Sequence, residues 1–65
     1  MLTKMKLRRL MLGKSQYALA NETGVFQNRL SLIERRLVKP RPHERKQLAR
    51  VLGLSEAEID EIITE

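Results

Sequence analysis

Four helix-breaking sites divide this chain into short segments, and their positions constrain the fold more than any other feature of the sequence. They are Gly13, Gly24, the Pro40-Arg41-Pro42 stretch and Gly53. Glycine readily adopts the left-handed conformation that ends a helix, and proline also holds the residue before it out of helical geometry. The segments between these sites are therefore expected to form separate, short helices.

Apolar residues three and four apart within these segments predict five helices. We expect Ser15 to cap the second helix, and Ser55 with Glu58 matches the capping-box pattern at the start of the fifth. In the third helix the inward stripe is Leu30, Ile33 and Leu37. The predicted helices lie at about 2–12, 16–22, 27–35, 43–52 and 56–64.

The predicted fold class is all-α, because no stretch alternates polar and apolar residues with the period of two that a strand requires. With 65 residues and no cysteine, the chain forms one domain, residues 1–65, which helix packing or self-association must stabilise without disulfides. The residues expected in its core are Leu19, Ala20, Leu30, Ile33, Leu48 and Leu52.

The composition argues against an enzyme. Most catalytic sites combine a nucleophile, a base and an orienting group around a pocket. This chain has one histidine, His43, no cysteine and no glycine-rich loop. We therefore expect no catalytic activity, no metal site and no cofactor.

Charge is distributed unevenly along the chain. All thirteen lysines and arginines lie between Lys4 and Arg50, whereas five of the eight acidic residues fall in the last ten positions. A basic body with an acidic end favours binding to a polyanion. The alternative is an ordinary solvated surface that keeps a small protein soluble. The N-terminal apolar segment is interrupted by basic residues, so we expect a cytoplasmic protein without a membrane segment.

The stretch from Gln16 to Arg35 has the spacing of a helix-turn-helix. Ala20 is small where the two helices cross, and Gly24 supplies a positive φ in the turn. The outward side chains of the second helix can pair with or touch base edges in a major groove, although a polar helix face alone is also common. These side chains are Gln27, Asn28, Arg29, Ser31, Leu32 and Arg35.

The combination Gln16-x-x-Leu19-Ala20-x-x-x-Gly24-Val25, followed by Leu30-Ser31-x-Ile33-Glu34 and a proline loop, resembles the DNA-binding domain of the lambda repressor and Cro type, the Xre family of bacterial and phage regulators. The resemblance covers about residues 5–62. It implies a transcriptional regulator, a repressor in function, that binds double-stranded operator DNA. A single small module gives little area for tight, specific binding, so we also expect a homodimer on a two-fold symmetric site.

The resemblance also assigns roles to individual residues. Gln16 would hold a phosphate and steady the recognition helix, and Arg9 would form an ion pair with Glu34 between the first and third helices. Lys39 and Arg41 would lie against the DNA backbone or a narrow minor groove. The full set of predicted DNA contacts is Ser15, Gln16, Gln27, Asn28, Arg29, Ser31, Leu32, Arg35, Lys39 and Arg41.

Two positions depart from the family pattern. Phe26 stands where a serine or threonine usually caps the recognition helix, so the cap is lost or moved, and the ring either packs as a hydrophobic staple or is exposed to a partner. Arg36 stands where glycine is usual. Either Arg36 adopts a strained left-handed conformation or the helix continues to Leu37.

A second class of function fits the same fold. The first segment is more apolar than one helix face requires: Leu7, Leu10 and Met11 cannot all face inward, and an exposed apolar patch marks an interface. The domain could therefore be an antitoxin or an adaptor that binds a partner protein. The spare stripe of the first helix and the isoleucines of the last segment are equal candidates for the dimer contact.

Overall fold

Four α-helices, one 3₁₀ helix and one pair of short strands make up residues 2–64, the part of the chain that this computed structural model describes. The bounds are β1 (Leu2–Thr3), α1 (Lys4–Met11), α2 (Gln16–Thr23), α3 (Gln27–Glu34), α4 (Pro42–Leu52), the 3₁₀ helix (Ala57–Asp60) and β2 (Ile62–Thr64). Helix α2 packs against α3 and α4, and α1 packs against α4 and the 3₁₀ helix.

Helix α2 has the caps that the sequence predicts at both of its ends. The Ser15 hydroxyl accepts a hydrogen bond from the Ala18 amide at 3.0 Å at the start of α2. Gly24 then ends α2 with φ 75°. Side-chain oxygens satisfy amides that the first turn of a helix leaves without partners, and glycine adopts a positive φ without strain.

The core lies between the helices and contains all six residues predicted for it. Leu19, Leu30, Leu48 and Leu52 are completely buried, together with Met5 from α1. The remaining buried apolar residues are Ala20, Val25, Ile33, Ala49 and Ile59. Burial of these side chains is the main favourable term that holds the short helices together.

The predicted fifth helix is wrong. The Ser55–Glu58 capping box does form, with the Ser55 amide donating to Glu58 Oε1 at 2.8 Å and the Glu58 amide donating to Ser55 Oγ at 3.2 Å. The chain nevertheless makes only a 3₁₀ helix and then the strand β2.

An antiparallel pairing of the two ends replaces the fifth helix. Leu2 faces Thr64 and Thr3 faces Ile62, and the Lys4 amide donates to the Glu61 carbonyl at 2.9 Å. The expectation of no sheet was therefore also wrong, as was a first helix beginning at residue 2. The β-branched residues of β2 suit an extended strand, and β1 satisfies their backbone groups.

The third helix ends at Glu34, and Leu37 does not continue its inward stripe, because its side chain is 63% exposed. Arg36 adopts the left-handed conformation with φ 60°. Its amide donates to the Ile33 carbonyl at 3.0 Å, and the Leu37 amide donates to the Leu32 carbonyl at 2.9 Å. These two bonds form a Schellman motif with arginine in the position that glycine usually occupies.

Candidate nucleic-acid interface

The turn between α2 and α3 fixes the angle between the two helices. The Thr23 hydroxyl donates to the Leu19 carbonyl at 2.7 Å and accepts from the Val25 amide at 3.3 Å. Thr23 and Val25 are both buried, so these bonds are shielded from water. The turn is therefore a rigid connection, and the outward face of α3 has a fixed direction.

A buried ion pair joins α1 to the end of α3, as the resemblance implies. Arg9 Nε donates to Glu34 Oε2 at 2.6 Å, and Arg9 Nη2 donates to Oε1 at 3.2 Å. The third guanidinium nitrogen, Nη1, donates to the Lys14 carbonyl at 2.8 Å. A two-pronged pairing of this kind holds both groups in one geometry.

Gln16 completes this arrangement. Its Nε2 donates to Glu34 Oε1 at 2.9 Å, so Glu34 connects α1, α2 and α3. Gln16 also lines a shallow depression with Lys6, Ser31 and Arg35. Nothing in the linear motif indicated Lys6, because only the tertiary fold brings α1 and Gln16 to the same depression.

The amino-terminal end of α3 presents two exposed amide side chains, Gln27 and Asn28. Asn28 Oδ1 accepts a hydrogen bond from the Arg29 amide at 2.9 Å, whereas Phe26 makes no side-chain cap. The N-cap position therefore has no side-chain hydrogen bond, and Asn28 satisfies one first-turn amide from inside the helix. A carbonyl oxygen accepts two hydrogen bonds, so Asn28 keeps one acceptor position and both amide hydrogens for a ligand.

The other predicted contacts on α3 are less exposed or are held by the protein. Ser31 and Leu32 are half-buried on the outer face. Arg35 is exposed, and its Nε makes a long hydrogen bond of 3.4 Å to the Ser31 carbonyl.

Arg29 points away from Gln27 and Asn28 toward α4. Its Nε donates to Glu44 Oε2 at 2.5 Å and its Nη2 donates to the Lys39 carbonyl at 3.3 Å. Glu44 is buried, and its Oε1 accepts from the Arg41 amide at 2.7 Å. The hydrogen bond from Arg29 lowers the pKa of Glu44 below its ordinary value and raises the pKa of Arg29.

This second network orders the loop between α3 and α4. It leaves the Lys39 and Arg41 side chains exposed while fixing the backbone next to them. Sequence reasoning missed Glu44, because its contact with Arg29 depends on the path of the loop.

Many basic side chains have no carboxylate within ion-pair distance in residues 2–64. The acidic C-terminal segment is partly neutralised inside the domain, since Lys4 pairs with Glu58 and Arg45 pairs with Asp60 at 2.5 Å. Arg9, Lys14 and Arg29 are also paired with carboxylates. The cations outside all the ion pairs of the described residues are Lys6, Arg8, Arg35, Arg36, Lys39, Arg41, Lys46 and Arg50. The folded surface therefore keeps unpaired basic side chains, in line with the net charge of +5.

Apolar side chains line two concave regions of the surface. Phe26 is 80% exposed and Tyr17 is 65% exposed, and both line a shallow pocket at the amino-terminal end of α3. The second region lies along α1 and β2, where Leu7, Met11 and Ile63 line a groove between Lys4, Arg8 and Leu54.

The described residues contain no cluster of histidine, aspartate and glutamate side chains suited to a metal ion. None of the helices in that range has the length and apolar character needed to cross a bilayer.

These features define a helix-turn-helix protein: two short helices joined at a fixed angle, with a polar outer face on the second helix and basic side chains around it. A comparison with family models agrees. The model for the helix-turn-helix domain matches residues 3–62, and the chain belongs to that family. Membership is consistent with the lambda repressor-like resemblance and suggests a DNA-binding regulator. No curated protein and no solved structure matches the chain significantly.

Proposed function

We propose that this protein is a sequence-specific, DNA-binding transcriptional repressor of the Xre type that acts in the cytoplasm. In this proposal α3 enters the major groove of an operator, and Gln27 and Asn28 form hydrogen bonds to base edges. The observation that carries the proposal is the exposure of these two side chains at the amino-terminal end of a helix that the Arg9–Glu34–Gln16 network holds in place. Glutamine and asparagine pair bidentately with adenine in that groove.

The surrounding residues supply the contacts to the DNA backbone. Ser15 and Gln16 at the start of α2 would contact phosphates of one DNA strand. Lys6 and Arg35, which line the same depression as Gln16, would add positive charge there. Lys39 and Arg41 would bind the backbone from the loop after α3. Ser31 and Leu32 lie one turn further along the helix and would contact bases or sugars, whereas Arg29 mainly holds the loop.

A single domain of this size offers little area for tight, specific binding, so we propose that the protein acts as a homodimer. Helix-turn-helix dimers bind two half-sites about 34 to 36 Å apart. The exposed groove along α1 and β2 supports a contact between two copies there, because burial of Leu7, Met11 and Ile63 would remove apolar surface from water.

Selection of bound sequences from a random pool of DNA duplexes tests this proposal. We expect the full chain to enrich a motif with two-fold symmetry and to lower expression of a reporter that carries the motif at its promoter. Failure to enrich any motif would contradict sequence-specific binding. An enriched single half-site, bound by a monomer at saturating protein concentration, would contradict the dimer.

The same apolar groove also favours a second candidate, an antitoxin or adaptor that binds a partner protein. An adaptor without a DNA function would show no salt-sensitive binding to DNA, whereas an antitoxin that represses its own promoter would show both activities. Substitution of Met11 by aspartate separates the two surfaces: it should abolish a protein contact in the groove and leave the isolated α3 face unchanged.

A further inference from the structure

The Phe26 side chain makes no cap hydrogen bond and is largely exposed. It directly precedes α3, where a serine or threonine would accept a hydrogen bond from a first-turn amide, and Phe26 makes no such bond. Its ring is 80% exposed, so it does not act as a hydrophobic staple either. A large aromatic residue that contributes neither a cap nor buried area is better explained by a ligand than by the fold.

The surroundings of Phe26 form a small apolar recess. Tyr17, on α2, lines the recess together with Phe26, and Ala20, Gly24 and Val25 also contribute to it. Gln27 lies at its edge. The recess is therefore continuous with the side chain that we propose reads a base, and it lies at the end of α3 that enters the groove.

Only one apolar group projects from base pairs into the major groove: the C5-methyl group of a pyrimidine. It is present on thymine and on 5-methylcytosine. We propose that Phe26 and Tyr17 hold the C5-methyl group of a pyrimidine next to the base pair read by Gln27, so that Phe26 is a specificity-determining residue. This inference rests on the proposed function.

A protein ligand fits this recess less well. A stable protein interface buries about 800 Å² on each partner, and the recess is a shallow patch of a few side chains flanked by polar Asn21 and Gln27. The position of the recess, beside Gln27 at the end of α3 that enters the groove, favours an apolar group on the DNA.

Uracil differs from thymine only by the missing C5-methyl group, which provides a direct test. Once a preferred site has been selected, each thymine is replaced in turn by uracil and the dissociation constant is measured for the wild type, Phe26→Ala and Phe26→Ser. Burial of one methyl group contributes about 0.8 kcal/mol, which is about fourfold in affinity. We expect uracil at one position of a half-site to weaken binding by the wild type about fourfold. The same replacement should not change the affinity of either variant.

The Phe26→Ser variant is the control for an effect that comes only from loss of folding. Serine restores the usual cap, so this variant should unfold at a higher temperature than the wild type while losing the preference for the methyl group. Leu10→Ala removes another exposed apolar side chain and should keep the full uracil effect. The inference is wrong if no uracil replacement changes the dissociation constant of the wild type. It is also wrong if uracil weakens binding by Phe26→Ser as much as binding by the wild type.

A second arm distinguishes the two sources of the methyl group. The sensitive thymine–adenine pair is replaced by a cytosine–guanine pair, with and without a C5-methyl group on the cytosine. If methylation strengthens binding by the wild type and not by Phe26→Ala, the recess accepts 5-methylcytosine as well. If it has no effect while uracil does, thymine is the ligand. A selection that enriches no site would contradict the proposed function, whereas an enriched site without a Phe26-dependent uracil effect would contradict this inference alone.

Discussion

Glu34 links the recognition helix to both α1 and α2. It accepts hydrogen bonds from Arg9 and Gln16, and its side chain is only 2% exposed. A buried carboxylate is costly unless charge and hydrogen bonds compensate for lost hydration. We therefore expect Glu34 to stabilise the fold. Its effect on DNA binding should be indirect, because it fixes the position of α3.

We predict that Glu34→Ala lowers the free energy of unfolding by about 3 to 5 kcal/mol, because it leaves the Arg9 guanidinium buried without its partner. Urea denaturation measures this loss. Glu22→Ala is the matched control: its pair with Lys14 is largely exposed and should contribute no more than about 1 kcal/mol. Equal effects of the two substitutions would show that the buried pair contributes no more to stability than the exposed pair.

Arg36 carries strain that a substitution can relieve. An L-residue in the left-handed conformation costs about 1 to 2 kcal/mol, and glycine avoids most of this cost. We predict that Arg36→Gly is more stable than Arg36→Ala by about 1 kcal/mol in thermal or urea unfolding. Both variants lose the hydrogen bond from Arg36 Nη1 to the Asp60 carbonyl, so their difference isolates the backbone term.

The same pair of substitutions at Arg35, where φ is −88°, provides the control. Glycine should have no advantage over alanine there. If glycine were favoured equally at both positions, the left-handed conformation of Arg36 would not be the source of the difference.

At the scale of elements, the C-terminal segment is the part of the fold that tertiary contacts determine most. The 3₁₀ helix and β2 are held to the start of the chain by the β1–β2 pairing, by the bond between the Lys4 amide and Glu61, and by the Lys4–Glu58 ion pair. The hydrogen bond from Lys4, with further bonds from Ser55, lowers the pKa of Glu58 from its ordinary value of 4.5 to about 2.

This lowered pKa predicts how the stability of the fold depends on pH. The ionised Glu58 stabilises the folded state fully above about pH 4.5 and loses that contribution as the pH falls toward 2. We predict that Glu58→Gln has a lower free energy of unfolding than the wild type at pH 6. The difference between the two proteins should become smaller as the pH falls to about 2. Urea unfolding across this range measures the gap, and Glu56→Gln, which removes a neighbouring charge, should show no comparable narrowing.

The sequence predicted the ends of α2 correctly and the structure of the C-terminal segment incorrectly, because only the former depends on local contacts. The ends of α2 follow from local chemistry, since Ser15 caps one end and Gly24 ends the other. The Ser55–Glu58 box was also identified correctly, but the chain after Asp60 pairs with β1. That pairing joins opposite ends of the chain, and no local pattern reveals it.

The candidate site divides in the same way. The outward direction of Gln27 and Asn28 follows from helical periodicity, because the inward positions are fixed by Leu30 and Ile33. The ion pair between Arg29 and Glu44 depends on how the proline loop returns to α4, so the sequence alone placed Arg29 among the base contacts.

At the scale of the whole molecule, the charge distribution predicts how binding to DNA depends on salt. Each lysine or arginine that neutralises a phosphate releases counterions and contributes about −0.9 to the slope of log affinity against log salt concentration. We predict a steep negative slope for the wild type and a slope that is shallower by about 0.9 for Lys39→Gln. Fluorescence anisotropy with a labelled duplex, at several salt concentrations, measures both slopes.

Lys14→Gln is the control for this measurement. It removes the same charge, but Lys14 already forms an ion pair with Glu22 at 2.8 Å. We therefore expect Lys14 to neutralise a DNA phosphate less than Lys39 does. Its slope should stay close to that of the wild type. A flat response of the wild type between low and physiological salt would exclude an electrostatic contact with the DNA backbone.

The central claim is that α3 reads base pairs through Gln27 and Asn28, while Gln16 fixes the register of the domain on the backbone. The most direct test is to determine the preferred site of Gln27→Ala, Asn28→Ala and Gln16→Ala by selection from a random pool, with affinity for non-specific DNA measured in parallel. A good bidentate contact is worth about 1 to 3 kcal/mol of discrimination. We predict that the first two variants each lose preference at one or two base positions and keep their non-specific affinity, whereas Gln16→Ala binds all sequences more weakly and keeps the parental preference. Unchanged base preferences in both the Gln27 and the Asn28 variants would contradict the claim.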